Sequence, residues 1–332
     1  MDVNFVTDCK DDAEKHRIFA SCYYQKHNFI INVIFNIMKK VSFIFVALMG
    51  MMAASCGSEQ FENAPVDCEA MAPVKVHVSH FSMSFEDYSG VGTRAASDVA
   101  DYDGVNAVTL AFYKSDGTEA YKRTQAKGDT GFGEFSLSLP MGSYTMVALA
   151  YHTSEGNPLV LTSPTVAEFT GRSYETFSAT QEVVISNTNA VDIDATLSRI
   201  VTQLLVGSTD GKTADVTNVR MTFSAGGKRF NPTTGLATVN TGFVNTVGNT
   251  ATVGTHSASL SFLFLIEDEQ DIDVTIETLD ADGNTLFSKT VTNVPFKRNR
   301  KTILTGPMYT NEALSGTFKI ETAWLSDYNA EF

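Results

Sequence analysis

The chain is short of cysteine, tryptophan and positive charge, and each shortage excludes a class of protein. Of its 332 residues, four are cysteine and one is tryptophan, while 24 Lys and Arg stand against 38 Asp and Glu. The net charge of −14 argues against nucleic acid as a partner, because a phosphate backbone attracts basic surfaces. After residue 56 the longest largely apolar run covers only residues 260–266, whereas a membrane helix needs about 20 residues.

Signatures of enzymes and metal sites are also missing. The four histidines that follow residue 56 show no zinc-type spacing; they are His77, His80, His152 and His256. The chain has no Gly-x-Ser-x-Gly elbow and no glycine-rich phosphate loop. The acidic clusters at residues 98–103 and 267–273 lack the twelve-residue pattern of a calcium loop. We therefore predict no catalytic residue, no bound metal and no cofactor.

Residues 38–56, MKKVSFIFVALMGMMAASC, have the pattern of an export signal. Two lysines precede an apolar run at residues 41–53, and small residues then lead to Cys56. A signal peptidase needs small side chains before its cleavage site, and a cysteine thiol can accept a diacylglyceryl group. We predict a lipoprotein signal peptide over residues 38–55 and lipidation at Cys56, which would hold the protein outside the cytoplasm.

Residues 1–37 mix Asp, Lys, His and Cys without a clear period. We interpret them as an upstream mis-start or a disordered segment. A true cytoplasmic extension is an alternative, and it would make residues 29–54 one interrupted membrane segment. A buried core segment at residues 41–53 is another alternative. If Cys56 carries lipid, Cys68 has no partner for an internal disulfide, so a hydrophobic core must hold the fold together.

Period-two alternation dominates from residue 74 onward and predicts an all-β fold. The first strand has two inward-facing sets separated by a one-residue slip: Val74, Val76 and Val78, then Phe81, Met83 and Phe85. Such a slip is typical of a β-bulge. Further strands follow at short intervals with Gly and Asp turns, which is typical of β-sandwiches. We predict two consecutive antiparallel β-sandwich domains, over residues 56–196 and 197–332.

A polar loop follows the first strand and contains the sequence Thr-Arg-Ala-Ala at residues 93–96. Flexible loops of this kind are sites where proteases can fit an extended backbone. Cleavage between Arg94 and Ala95 would release the first strand and leave a groove with unpaired backbone groups. A strand donated by a second subunit would fill that groove. Taken by itself, Arg94 could equally be an ordinary surface arginine.

Five elements of the chain together resemble the fimbrillin family, the type V pilus subunits of Gram-negative anaerobes. The first two are the signal ending at Cys56 and the arginine loop at residues 93–95. The others are LPMGSY at residues 139–144, ATLSRIV at residues 195–201, and VPFKRNRKT at residues 294–302, which precedes a terminal strand. The likeness spans about residues 40–332.

The resemblance implies two transthyretin-like β-sandwich domains and an outer-membrane lipoprotein precursor. It implies cleavage after Arg94 by an arginine-specific protease, followed by polymerisation with other pilus subunits through donor-strand exchange. A C-terminal segment would be the donor, and the candidate donor region comprises Phe318, Ile320, Thr322 and Trp324.

We therefore expect a structural and adhesive pilus subunit at the cell surface. One alternative is an anchor or accessory subunit of such a pilus, which would keep the lipid on Cys56. Another is a surface glycan-binding lipoprotein. Glycan sites are usually built from exposed aromatic residues, and the single tryptophan, Trp324, is predicted to face inward, which makes this alternative the weaker one.

Overall fold

The structure, a computed structural model, describes residues 70–82, 98–310 and 318–323. Within these ranges the chain forms strands and no helix, which confirms the predicted all-β fold. The described residues all belong to one compact unit, Cys68–Phe332. In the same ranges there is no helix with the length and apolar character to cross a membrane.

The first part of the described chain is a two-layered sandwich. Its strands are β1 (Met71–Phe81), β2 (Ala107–Lys114), β3 (Glu119–Ala126), β4 (Glu134–Pro140), β5 (Gly142–Tyr151), β6 (Leu159–Ser163), β7 (Val166–Phe169), β8 (Thr176–Ile185) and β9 (Val191–Arg199). Seven of them follow the order β3-β2-β5-β8-β9-β1-β4. β8 and β9 pair only at Phe177–Arg199 and Ser178–Ser198. Inward residues from both sides of this junction meet in a single core, so the two sets of strands face each other.

The second part is another sandwich. Its strands are β10 (Thr202–Ser208), β11 (Asn218–Phe223), β12 (Arg229–Asn231), β13 (Leu236–Ala237), β14 (Phe243–Gly248), β15 (Ala258–Leu263), β16 (Glu269–Leu279), β17 (Thr285–Lys297), β18 (Lys301–Gly306) and β19 (Lys319–Ala323). Two four-stranded sheets, β15-β10-β18-β19 and β14-β11-β16-β17, enclose a second core. The predicted sandwich architecture is therefore present in both parts.

Two strand pairs depart from the expected antiparallel arrangement. β1 runs parallel to β9, and β10 runs parallel to β18. Parallel neighbours cannot be joined by a tight hairpin, and in each pair many residues separate the two strands along the chain. Alternation in a sequence tells which residues share a face but not the direction of the neighbouring strand. The predicted antiparallel arrangement therefore does not extend to these two pairs.

A third core joins the two sandwiches. The sheet β13-β12-β7-β6 takes two strands from each part of the chain. Its apolar residues pack against the outer face of β2 and β5, so those two strands are buried on both faces. Phe230 and Phe264 stack in this core with ring centroids 4.0 Å apart. The long apolar runs of β2 and β5 are typical of strands covered on both faces.

The predicted boundary between residues 196 and 197 falls inside β9, which continues to Arg199. The chain passes from one sandwich to the next at Ile200 and Val201, which are both buried in the third core. The connection between the sandwiches is therefore a packed segment.

Candidate functional site

β1, the strand predicted to be removable, lies between two other strands rather than at an edge. It pairs antiparallel with β4 from Met71 to His77 and parallel with β9 from Val74 to Phe81. Its inward residues are almost completely buried, with exposures of 0–2%: Ala72, Val74, Val76, Val78 and Phe81. The predicted inward alternation is confirmed for Val74, Val76, Val78 and Phe81, whereas Met83 and Phe85 lie outside the described residues.

A register shift interrupts the pairing of β1 with β9 between His77 and His80, which confirms the predicted bulge. The shift changes the phase of the strand so that Phe81 faces inward like Val78. Phe81 lies 4.4 Å from the ring of Phe177 and 5.5 Å from the ring of Tyr102, measured between centroids. The bulge therefore delivers the aromatic end of β1 into an aromatic cluster.

Loss of β1 would be costly unless another strand replaced it. Full burial of a Val or Phe side chain contributes about 1.5–3 kcal/mol, and β1 buries three valines and Phe81. The sum is comparable to the entire stability of a domain, about 5–15 kcal/mol. Both neighbouring strands would also lose backbone hydrogen bonds, and β4 would lose its only strand partner among the described strands.

The outward face of β1 carries bases between acidic neighbours. Nδ1 of His77 contacts the Glu134 carboxylate on β4, and its Nε2 lies 2.8 Å from Oδ1 of Asp192 on β9. Because ionised carboxylate oxygens only accept hydrogen bonds, both contacts are hydrogen bonds only when the ring is protonated and positively charged. Lys75 projects from the same face and is paired in register with Asp192.

The pKa of His77 reflects this arrangement. Partial burial lowers it, but the hydrogen bond and the charge of Glu134 raise it, and Asp192 adds to that effect. The result is a pKa above the usual value for histidine, which agrees with a charged ring held between two carboxylates.

A buried ionic group lies near the far end of β1, and no sequence motif predicted it. Arg199 at the end of β9 has a fully buried side chain, with Nη2 2.5 Å from Oε1 of Glu175. The hydroxyl of Tyr102 donates to the same carboxylate at 2.8 Å, and the guanidinium lies over the ring of Phe177. Arg199 also donates to Asn299 in the second sandwich at 3.3 Å. The motif at residues 195–201 contained this arginine, but its charge alone did not indicate a buried role.

The predicted cleavage sequence lies outside the described residues, as do Arg94, Ala95 and the predicted lipid site Cys56. The described residues on either side of the loop are close together. His80 forms an isolated bridge with Asp98, and the backbone N–H of Val99 donates to the carbonyl of Ser79 at 3.0 Å. Both ends of the loop are therefore tied to the last part of β1.

The candidate donor region lies at the edge of a sheet, whereas β1 lies inside one. β19 is the edge strand of its sheet and pairs only with β18 among the described strands. Phe318 packs against the second core, whereas Lys319 is exposed and Ile320 is 39% exposed. Thr322 lies in β19 opposite Thr302, and Trp324 lies outside the described residues.

Asp210 fixes the chain just before the candidate donor region. Its carboxylate accepts hydrogen bonds from the backbone N–H groups of Met308, Tyr309 and Thr310 at 2.7–2.9 Å, and from the Thr310 hydroxyl at 3.0 Å. Burial raises the pKa of Asp210, but these hydrogen bonds outweigh burial and hold the pKa below its usual value.

The described residues contain no group of three or more His, Cys, Asp or Glu suited to a metal ion.

The sequence matches one family model over residues 73–331, and that model is described as a family of unknown function, DUF6562. The chain belongs to the DUF6562 family. The matched range contains most of β1 and all of β19, the two strands described above. A comparison with curated protein sequences gives no match to this DUF6562 chain.

Solved structures similar to this DUF6562 chain include the fimbrial anchor protein Mfa2 from Porphyromonas gingivalis, at 12% identity and a TM-score of 0.47, covering 76% of this chain and 97% of that one. The tip fimbrial protein Mfa3 from the same organism is similar at 10% identity and a TM-score of 0.36, covering 76% and 99%. A candidate adhesin from Bacteroides ovatus is similar at 12% identity and a TM-score of 0.44, covering 78% and 95%.

Proposed function

We propose that this protein is a structural and adhesive pilus subunit of the cell surface. In this proposal a protease cleaves the chain after Arg94, β1 leaves, and a strand from another subunit takes its place. The observation that carries the proposal is the position of β1, which is buried on its inner face and paired on both sides. Its departure would create a groove with apolar pockets and two rows of unpaired backbone groups, which is the surface that a donated strand fills.

The position of Arg94 in the chain is consistent with this cleavage. A cut after Arg94 would break the covalent link between β1 and the rest of the sandwich without shortening any strand after it. The new N-terminus, Ala95, would lie three residues before Asp98. After the cut, only non-covalent contacts would retain β1.

A donor strand must leave its own subunit at low cost, and the position of β19 supports that role. It is an edge strand, it follows the segment fixed by Asp210, and Ile320 near its start is 39% exposed. The segment from Thr310 onward could therefore extend towards another subunit while the sandwich behind it stays folded.

The lipid predicted on Cys56 would deliver the precursor to the outer membrane, and cleavage after Arg94 would remove the lipid together with β1. A subunit that kept the lipid would act as an anchor or accessory subunit. Mass spectrometry of surface filaments separates the two roles. An N-terminus at Ala95 indicates a polymerising subunit, whereas a lipidated Cys56 in the filament indicates an anchor.

The first test replaces the cleavage residue. Arg94→Ala should abolish filaments and the ladder of SDS-resistant oligomers that strand exchange produces, because β1 would stay attached. Arg123→Ala, at an exposed position of β3, is the matched control and should polymerise normally. Unchanged polymerisation of the Arg94→Ala protein would remove this residue from the mechanism.

A second test separates cleavage from strand release. Lys75 on β1 and Ser136 on β4 are directly paired and both are exposed. Paired residues of antiparallel strands lie about 4.5–5.5 Å apart, within the range that a disulfide spans. The double variant Lys75→Cys/Ser136→Cys should be cleaved after Arg94 but should polymerise only after reduction. Polymerisation of the oxidised protein would contradict the release of β1.

A further inference from the structure

The groove beneath β1 has an acidic border on its outer side. Glu134 on β4 and Asp192 and Asp194 on β9 face outward and are exposed; we call these three residues the acidic frame. On β1, His77 contacts Glu134 and Asp192 and is paired in register with Asp194, while Lys75 is paired in register with Asp192. Bases of β1 therefore compensate carboxylates on both flanking strands.

Removing β1 would remove this compensation. Adjacent strands lie about 4.8 Å apart, so carboxylates on either side of an empty strand position are separated by about 10 Å. That distance is close to the Debye length at physiological salt, so the carboxylates would repel each other and attract a cation. An incoming strand with an acidic side chain at the His77 position would meet acidic residues on both sides.

The apolar pockets alone cannot fix the register of an incoming strand. A slip of one residue turns the apolar face outward and is rejected, but a slip of two residues keeps every apolar side chain facing inward. In the candidate donor region the residue between Phe318 and Ile320 is Lys319, and the residue between Ile320 and Thr322 is Glu321. The two registers therefore place opposite charges at the His77 position.

We propose that the acidic frame selects the strand that replaces β1 by requiring a basic side chain at the His77 position, and that Lys319 of a second copy of this chain supplies it. The inference rests on the strand exchange proposed above. The stretch Phe318-Lys319-Ile320 reproduces the pattern of Val76-His77-Val78, with a base between two apolar residues. Lys319 lies on an edge strand, and its side chain is exposed.

The test uses the full-length chain cleaved with an arginine-specific protease and fluorescent peptides with the sequence of residues 317–325. Three peptides are compared: the native sequence, Lys319→Met and Lys319→Glu. At low salt the Lys319→Glu peptide should bind about tenfold more weakly than the native one, with Lys319→Met between them. The difference should shrink to about twofold in about 1 M salt.

The same peptides are then measured on a chain carrying Glu134→Gln and Asp192→Asn, in which the frame is largely neutral. On this chain the three affinities should agree within about twofold. A chain carrying Glu134→Lys and Asp192→Lys should reverse the order and favour the Lys319→Glu peptide. Circular dichroism before cleavage verifies that each variant is folded.

The possible negative results separate the charge rule from strand exchange itself. Equal affinity of the three peptides for the native groove would overturn the charge rule while leaving strand exchange intact. If β1 remains bound after cleavage despite excess peptide, or if β1 leaves and no peptide binds, strand exchange is wrong and the charge rule is wrong with it.

Discussion

β1 and β19 are both candidate exchange strands, yet they occupy opposite kinds of position. β1 is paired on both sides and buries five side chains in the first core. β19 is paired on one side, and Ile320 at its start is 39% exposed. One strand is part of the core of its sandwich, whereas the other is attached to the border of its sandwich.

This difference assigns different roles to the two strands. A strand that leaves a groove must be costly to lose, because only then does the groove bind a replacement tightly. A strand that is donated must be easy to detach, because its own sandwich has to survive without it. The following predictions test whether β1 and β19 differ in this way.

The largest expected effect comes from a charge placed on the inner face of β1. Val76→Asp should lower the free energy of unfolding of the uncleaved chain by more than about 4 kcal/mol, because Val76 is fully buried and the core offers a carboxylate no partner. Ile320→Asp on β19 should cost less than about 1 kcal/mol. Denaturant titration followed by circular dichroism measures both. Equal losses would mean that β19 is as integral as β1.

The packing of β1 also depends on a close approach between its backbone and Gly133. This glycine has a φ of 89°, and a Cβ there would lie 2.8 Å from the carbonyl oxygen of Val78. Gly133→Ala should cost about 2–4 kcal/mol, since it adds a steric conflict with β1 to the strain of a left-handed backbone. The change should accelerate hydrogen exchange along β1.

Gly283→Ala is the matched control for that substitution. Gly283 has a φ of 85°, but a Cβ there would have no atom within 4 Å. Its cost should therefore be the backbone strain alone, about 1–2 kcal/mol. A Gly133→Ala protein no less stable than the control would show that the contact with Val78 does not hold β1.

The sequence predicted β1 well, because the pattern that defines its buried face and its bulge is local. Alternation of Val74, Val76 and Val78 defines the buried face, and the slip before Phe81 defines the bulge. The partners of β1 could not be predicted, because no local pattern specifies that a strand near residue 74 runs parallel to one near residue 193. The acidic frame was missed for the same reason, since its members come from strands far apart in sequence.

The contacts of Arg199 and Asp210 also could not be predicted from the sequence. A charged residue at the end of a strand is ordinarily exposed, and only the fold shows that Arg199 is covered and paired with Glu175. Asp210 lies in a turn sequence, where an aspartate usually bonds its own loop. Its carboxylate instead binds residues 308–310, about one hundred positions later.

A moderate effect is expected from Asp210→Ala, which removes the fixed point before β19. The free energy of unfolding should fall by about 1–2 kcal/mol, because three backbone N–H groups lose a charged acceptor. Hydrogen exchange at residues 308–310 should accelerate while exchange in β1 stays unchanged. Acceleration along β1 would contradict the independence of the two strands.

The same interaction predicts a dependence on acid. Because the folded pKa of Asp210 is lowered, its contribution is complete above the unfolded pKa of about 3.9 and is lost as the pH falls through the lower folded value. The difference in stability between the native protein and Asp210→Ala should therefore narrow below about pH 4.

The smallest effect is expected from His77, whose contacts lie on the exposed side of β1. Its raised folded pKa means that its contribution is complete below the unfolded pKa of about 6.5 and is lost as the pH rises through the folded value. His77→Gln should cost less than about 1 kcal/mol at about pH 5.5 and almost nothing at about pH 9. A pH-independent cost of His77→Gln would mean that the side chain acts through packing rather than through its charge, and β1 would then be held by its inner face alone.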